Sequence, residues 1–225
     1  MIQHDGQVLL LDCGSGITSR LQNHIDFCDL QWIILSHLHP DHISDLFVLR
    51  HALQFAPTCR DAPPEVEVFA PGEPAGEFVR LSYKDILLAK PTIPEDLLHL
   101  GPFSVRFAPT RHPIESLAVR LTTNSGTMVY TGDTALCQEV IDIAGEADVL
   151  LAEATLKEPP QDVQQRRHMT AREAGNLAEM AGVKKLLLTH ISPYSEPGEI
   201  KTAAKTQTSI PVEVVDEQTE YLICS

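Results

Sequence analysis

Residues 36–42 read Ser36-His37-Leu38-His39-Pro40-Asp41-His42, directly after the apolar run Trp32-Ile33-Ile34-Leu35. Three histidines and a carboxylate within six residues answer no packing requirement. Neutral imidazole and carboxylate together suit a borderline divalent cation such as zinc. As a strand frays out, side chains 37 and 39 can point the same way, while 41 and 42 turn toward a second point. The stretch therefore reads as two half-sites, one per metal. The bland alternative is a polar strand-to-helix loop that happens to be rich in histidine, and the rest of the chain argues against it.

Outward from that stretch, the spacing of apolar residues predicts a strand over 31–36. A helix over about 41–54 follows, with Ile43, Leu46, Phe47 and Leu53 on its apolar face. Upstream, Gln7–Leu11 predicts a strand closed by Asp12-Cys13-Gly14-Ser15-Gly16, where Gly14 and Gly16 permit a tight turn, and then a helix over roughly 17–26. Downstream, 56–64 reads as a Pro-rich loop, and 66–69 as a strand ended by Pro71-Gly72. The segment 72–100 predicts a helix around 78–88 and a loop with Pro91 and Pro94, with its role open between a lid and a plain connector.

Strands follow near 103–108, 117–122 and 127–131, then a helix over 135–144 and a buried strand over 148–152. Thr170-Ala171-Arg172-Glu173 has the form of a capping box. Ala174, Leu177, Ala178 and Ala181 then recur at helical spacing up to Gly182. A strand over 185–189, a helix over about 198–206 and strands over 211–215 and 220–224 close the chain. Without an internal repeat or a break in composition, 1–225 is predicted to be one α/β domain.

Composition narrows the partners. The 225 residues are 43% apolar, enough to bury one sizeable core. No apolar run approaches the roughly 18 residues of a membrane span, and the start lacks a basic region followed by a long apolar stretch. The expectation is a cytoplasmic protein without a membrane partner. Five scattered cysteines (13, 28, 59, 137 and 224) form no C-x-x-C pair and read as reduced, buried thiols. The net charge is −14, with 17 basic residues against 31 acidic ones. Extended nucleic acids are held by cations that replace phosphate counterions. A broad nucleic-acid face is therefore not expected, and the doublets Arg166-Arg167 and Lys184-Lys185 read as solvated surface.

The remaining polar residues are not randomly placed. His112, Asp133, Glu153 and His190 each follow the C-terminal end of an apolar run, as His37 does, and that edge is where α/β architectures build sites. The pattern resembles, over nearly the whole chain, the metallo-β-lactamase fold superfamily, whose H-x-H-x-D-H motif is matched by His37, His39, Asp41 and His42. The resemblance implies an α/β fold, the αββα metallo-β-lactamase sandwich, with a dinuclear metal site at its edge. His37, His39 and His112 would hold the first metal. Asp41, His42 and His190 would hold the second, with Asp133 bridging. The expected cofactor is two zinc ions, with manganese the alternative. The Asp12-x-Gly14 turn resembles the family's early Asp-x-Gly element, where the Asp supports the site. Two metals roughly 3.5–4 Å apart generate hydroxide near neutral pH and stabilise both oxygens of a displacement, so hydrolysis is the natural reaction.

Glu153-Ala154-Thr155 and His168-Met169-Thr170 resemble motifs of the superfamily's ribonuclease Z-like phosphodiesterase branch, in which the Glu orients the His and the His donates a proton to the leaving oxygen or steadies the scissile phosphate. With Asp41 these make the expected catalytic residues Asp41, Glu153 and His168. The likeness is to short, arm-less bacterial members. Only 20 residues separate His112 from Asp133, too few for the tRNA-gripping arm of a ribonuclease Z. A small or nucleotide-like phosphodiester is the expected substrate. The alternatives are a glyoxalase II-like thioesterase or lactonase, an RNA 3′-end processing endoribonuclease and a non-enzymatic binding module. Thioesterases of that type carry Gly-Gly soon after the histidine motif, where this chain has Ile43-Ser44-Asp45. One departure from the family pattern is that the usual first N-terminal strand or strands are expected to be lacking. The sheet edge this exposes would need covering by a partner chain, such as a second copy in a homodimer, or would weaken the fold.

Overall fold

Asp5 and Gly6 both have positive φ, 48° and 75°. They form the kind of two-residue turn whose twist matches a β-hairpin. It folds β1 (Ile2–His4) back antiparallel onto β2 (Gln7–Leu11). A short strand thus precedes β2, and the exposed edge belongs to β1, which sequence reasoning missed although Asp-Gly is a hairpin signal. The computed structural model describes residues 1–55, 64–162, 165–216 and 218–224. All but the last residue of the Pro-rich loop expected at 56–64 lies outside them, as does Cys59.

The chain divides into two units, Met1–Ile93 with Leu100–Pro102, and Pro94–His99 with Phe103–Ser225. In the first, β2, β3 (Leu30–Ile34), β4 (Val66–Ala70) and β5 (Leu87–Pro91) run parallel, and the sheet order is β1-β2-β3-β4-β5. Leu9, Leu10, Ile33, Ile34, Val66 and Val68 are buried, as parallel strands covered on both faces require. The helix expected over 17–26 is only α1 (Ile17–Leu21), followed by a 3-10 turn at Phe27–Asp29.

The helix expected over 41–54 is two, α2 (Pro40–Ile43) and α3 (Leu46–Phe55). The break has a physical cause. The Asp45 N–H donates to the Cys13 carbonyl at 3.0 Å rather than continuing the helix, and the Asp45 carboxylate accepts from the Thr18 N–H at 2.8 Å. No helix occupies 79–88. A one-turn α4 (Ala75–Phe78) leads through turns into β5, which pairs with β4, so the expected helix is replaced by turns and a sheet strand. Pro91 ends the edge strand, where a missing N–H costs no ladder bond.

The second unit carries a seven-stranded sheet of β6 (Leu97–Leu100), β7 (Phe103–Pro109), β8 (Leu117–Thr122), β9 (Thr127–Tyr130), β10 (Val149–Glu153), β11 (Leu186–Thr189) and β12 (Val212–Val214). Their order is β12-β11-β10-β9-β8-β7-β6. β7, β8 and β9 pair antiparallel; β9, β10, β11 and β12 pair parallel, joined by α5 (Gln138–Ala144), α6 (Ala171–Ala181) and α7 (Pro197–Lys205). Residues 220–224 form no strand. The core packs Val129, Leu150, Leu186 and Leu188 of the sheet against Val140, Leu177 and Ile200 of the helices. The expected capping box is present: Glu173 N–H donates to Thr170 Oγ1 at 3.2 Å, Thr170 N–H to Glu173 Oε2 at 2.9 Å, and Gly182 ends the helix left-handed. Among the described residues no helix is long and apolar enough to cross a membrane.

Candidate metal centre

In the first unit the histidine motif is stitched onto the turn that ends β2. Cys13 N–H donates to the His42 carbonyl at 2.8 Å. A Cβ built on Gly14 would lie 1.8 Å from the Asp41 carbonyl oxygen, so any side chain at 14 would push the motif away. Asp12, in the left-handed region at φ 55°, turns its carboxylate back toward the motif. It accepts three hydrogen bonds: Ser36 N–H at 2.6 Å, Ser36 Oγ at 2.8 Å and His42 Nδ1 at 2.7 Å. Burial alone would raise this carboxyl. Hydrogen bonds from His42 and from the Ser36 N–H act against it, and the group lies below the usual carboxylate range.

These contacts set the histidine tautomers. His42 gives its Nδ1–H to Asp12, so Nε2 carries the lone pair. Ser36 Oγ spends its proton on Asp12 and accepts from His37 Nδ1 at 3.0 Å, which puts the His37 lone pair on Nε2 as well. His37 Nε2 lies 3.0 Å from His39 Nδ1. These two nitrogens converge as ligands of one ion do. A hydroxyl behind His37 and a carboxylate behind His42 are the support that metal-bound histidine normally has, so this donor set fits a divalent cation. Cys13, buried beside it, has its thiol pushed up by burial and by the Asp45 and Asp12 charges, as an inert core cysteine would.

In the second unit three parallel strands deliver residues in register: Leu151 faces Tyr130, and Glu153 faces Thr189. Asp133 and His190 follow within three residues of those strand ends. Thr110 Oγ1 donates to the Asp133 carbonyl at 3.0 Å and Ala135 N–H to the Arg111 carbonyl at 3.1 Å, which brings His112 alongside Asp133. His112 Nδ1 donates to the Arg167 carbonyl at 3.2 Å.

Glu153 is fully buried. Its Oε1 accepts from Thr134 N–H at 2.6 Å and from His168 Nδ1 at 3.0 Å; its Oε2 accepts from Thr155 Oγ1 at 2.7 Å. Thr155 Oγ1 also lies 2.8 Å from His190 Nδ1. The His168 ring stacks at 5.9 Å on His190 and meets His112 edge-on at 5.3 Å. Potential donor atoms of His112, Asp133 and His168, and likewise of Glu153, His168 and His190, lie within 4.8 Å of one another. His190 Nε2 and Asp133 Oδ1 are 3.7 Å apart, a spacing that suits two ligands about 2 Å from a shared cation. His190 itself sits at φ 50°, a strained conformation of the kind found at functional sites.

The first unit thus brings together His37, His39 and His42 around Asp12. Asp41 of the same motif is 3.8 Å from His42 Nε2. The second brings together His112, Asp133, Glu153, His168 and His190. Ser36, Thr155 and the Arg167 carbonyl were assigned no role from sequence, because nothing in a lone serine or threonine marks it as the support of a histidine.

The family model of the beta-lactamase superfamily domain matches residues 7–191. "Probable metallo-hydrolase YhfI" of Bacillus subtilis is 32% identical over 92% of this chain and 84% of its own. The crystal structure of that metallo-beta-lactamase fold protein superposes with a TM-score of 0.90, covering 96% of this chain and 87% of that one. A ribonuclease Z of Mycobacterium bovis is 28% identical over 95% of this chain and 87% of its own. The crystal structure of a diphosphatase from the PhnP family shares the fold at TM-score 0.78 and 19% identity, over 99% of this chain and 83% of that one. Fold and donor sets together define a metallo-hydrolase of the beta-lactamase fold. The chain belongs to the beta-lactamase superfamily.

Proposed function

We propose that the protein is a dinuclear zinc or manganese phosphodiesterase acting on a small or nucleotide-like phosphodiester. His37, His39 and His112 would hold one metal and Asp41, His42 and His190 the other, with Asp133 a ligand available to both. This assignment rests on the family motif and on the donor chemistry of each unit. The metals would supply a hydroxide nucleophile and stabilise charge on the phosphate.

The observation that carries the phosphodiester reading is the 3.0 Å contact between His168 and the buried Glu153. The carboxylate fixes Nδ1–H and stabilises the imidazolium. His168, 26% exposed, keeps Nε2 for donating a proton to a leaving oxygen. A thioester hydrolase has little use for that acid, because a thiolate leaves without a proton. The ribonuclease Z relative supports the same chemistry, while the net charge of −14 favours a small substrate over extended RNA.

Metal-loaded protein should hydrolyse bis(p-nitrophenyl) phosphate and leave S-lactoylglutathione untouched, with about two metals per chain. His168→Ala should lower kcat by about 100-fold and retain both metals. Turnover of the thioester alone, or a His168→Ala variant with unchanged kcat, overturns the reading.

A further inference from the structure

The Thr155 hydroxyl has three polar neighbours: Glu153 Oε2 at 2.7 Å, His190 Nδ1 at 2.8 Å and the His190 carbonyl at 2.9 Å. It owns one proton. The carboxylate and the carbonyl can only accept, so if Nδ1 also carried a lone pair, three acceptors would surround a single hydrogen. The arrangement is consistent only when His190 Nδ1 is the donor and the hydroxyl oxygen accepts from it. From this we infer that Thr155 is a positioning residue, which holds His190 in its Nδ1–H tautomer so that Nε2 presents the lone pair to a divalent cation. The inference rests on the proposed role of His190 as a metal ligand.

Three further observations bear on it. His190 sits at φ 50°, and its carbonyl lies 2.9 Å from the same hydroxyl that accepts from its ring. Thr155 thus stands against both the backbone and the ring of the strained residue, and its one proton is shared between that carbonyl and Glu153. The side chain of Thr155 is in turn held by Glu153, which accepts from Thr155 N–H at 3.4 Å and from Oγ1. Glu153 also holds His168. One buried carboxylate therefore orients the proposed acid directly and the proposed ligand through a hydroxyl. A threonine is better suited to this than a serine, because its β-methyl restricts χ1, though the hydrogen bonds need only the hydroxyl. Loss of such a supporting partner typically weakens metal affinity or activity by about 10–100-fold.

The test reads the tautomer and the metal separately from activity. In the metal-free wild-type protein, long-range 1H–15N correlation spectra of His190 should show Nδ1 protonated and Nε2 unprotonated; the opposite tautomer overturns the inference. Zinc affinity by competition with a chromophoric chelator should fall about 10–100-fold in Thr155→Val and recover in Thr155→Ser to near the wild-type value. Unchanged affinity in Thr155→Val overturns the role, as does a Thr155→Ser variant as weak as Thr155→Val, which would make the methyl group and packing responsible. His190→Ala separates the two readings. If it too binds zinc like the wild type, the ligand assignment has failed; if it loses zinc while Thr155→Val does not, only the positioning role has.

Discussion

Asp12 in the first unit and Glu153 in the second are built alike. Each is a buried carboxylate at the end of a parallel strand, each receives a backbone N–H, and each holds one histidine directly and another through a hydroxyl. Asp12 holds His42 directly and His37 through Ser36; Glu153 holds His168 directly and His190 through Thr155. The difference lies in what the directly held histidine is for. His42 belongs to the ligand motif, whereas His168 lies outside it and is the proposed acid. Hydrogen bonding at Nδ1 does not decide a histidine's task. It fixes the ring, and whatever stands at Nε2 decides.

That comparison is most exposed at Asp12. Replacing it with Ala leaves the Ser36 hydroxyl and His42 Nδ1–H buried without their acceptor and removes support from two proposed ligands at once. The expected outcome is a stability loss of about 3 kcal/mol and zinc affinity at least about 100-fold weaker, read by thermal unfolding and chelator competition. Glu153→Gln should behave differently. Its amide cannot stabilise an imidazolium at His168, so kcat should fall by about 100-fold, while Thr155 retains an acceptor and zinc affinity falls by no more than about 10-fold. If both variants lose metal equally, the two carboxylates do the same job and His168 is a ligand rather than an acid.

How much of this could be read from the chain follows from distance along it. Ser36, His37, His39, Asp41 and His42 lie within seven residues, so their type and spacing reveal a metal site without knowledge of the fold. Glu153 is 15 residues from His168 and Thr155 is 35 from His190. Their pairing depends on β10 and β11 lying side by side and on Leu156 N–H bonding the Met169 carbonyl. Only resemblance to a family could join them beforehand. Regular elements with strong periodicity, such as α6 with its capping box, were legible to within a residue. The misread stretches were those where a tertiary contact overrides local preference. Asp45 breaks a continuous helical pattern to bond Cys13, and Leu87–Pro91 becomes a strand because β4 offers it an edge.

The smallest effect is expected at the other end of β10, and it tests whether position alone makes a carboxylate functional. Asp148, just before the strand that Glu153 ends, accepts from Lys184 Nζ at 2.7 Å and from Thr127 N–H at 2.7 Å. The Lys184 hydrogen bond and the Thr127 N–H pull its carboxyl below the ordinary range, against the opposing effect of burial. A carboxyl depressed on folding stabilises the protein above its unfolded pKa of about 3.9 and loses that contribution as pH falls through the folded value. Lys184 is largely exposed, which limits the stabilisation to about 1 kcal/mol. Asp148→Asn should therefore lower stability by about that amount at pH 7, converge with the wild type below about pH 3, and leave kcat and zinc content unchanged. Urea titrations at the two pH values would read it. A drop in metal content would mean that the strand transmits changes from one end to the other, and that the chemistry depends on more of β10 than its last residue.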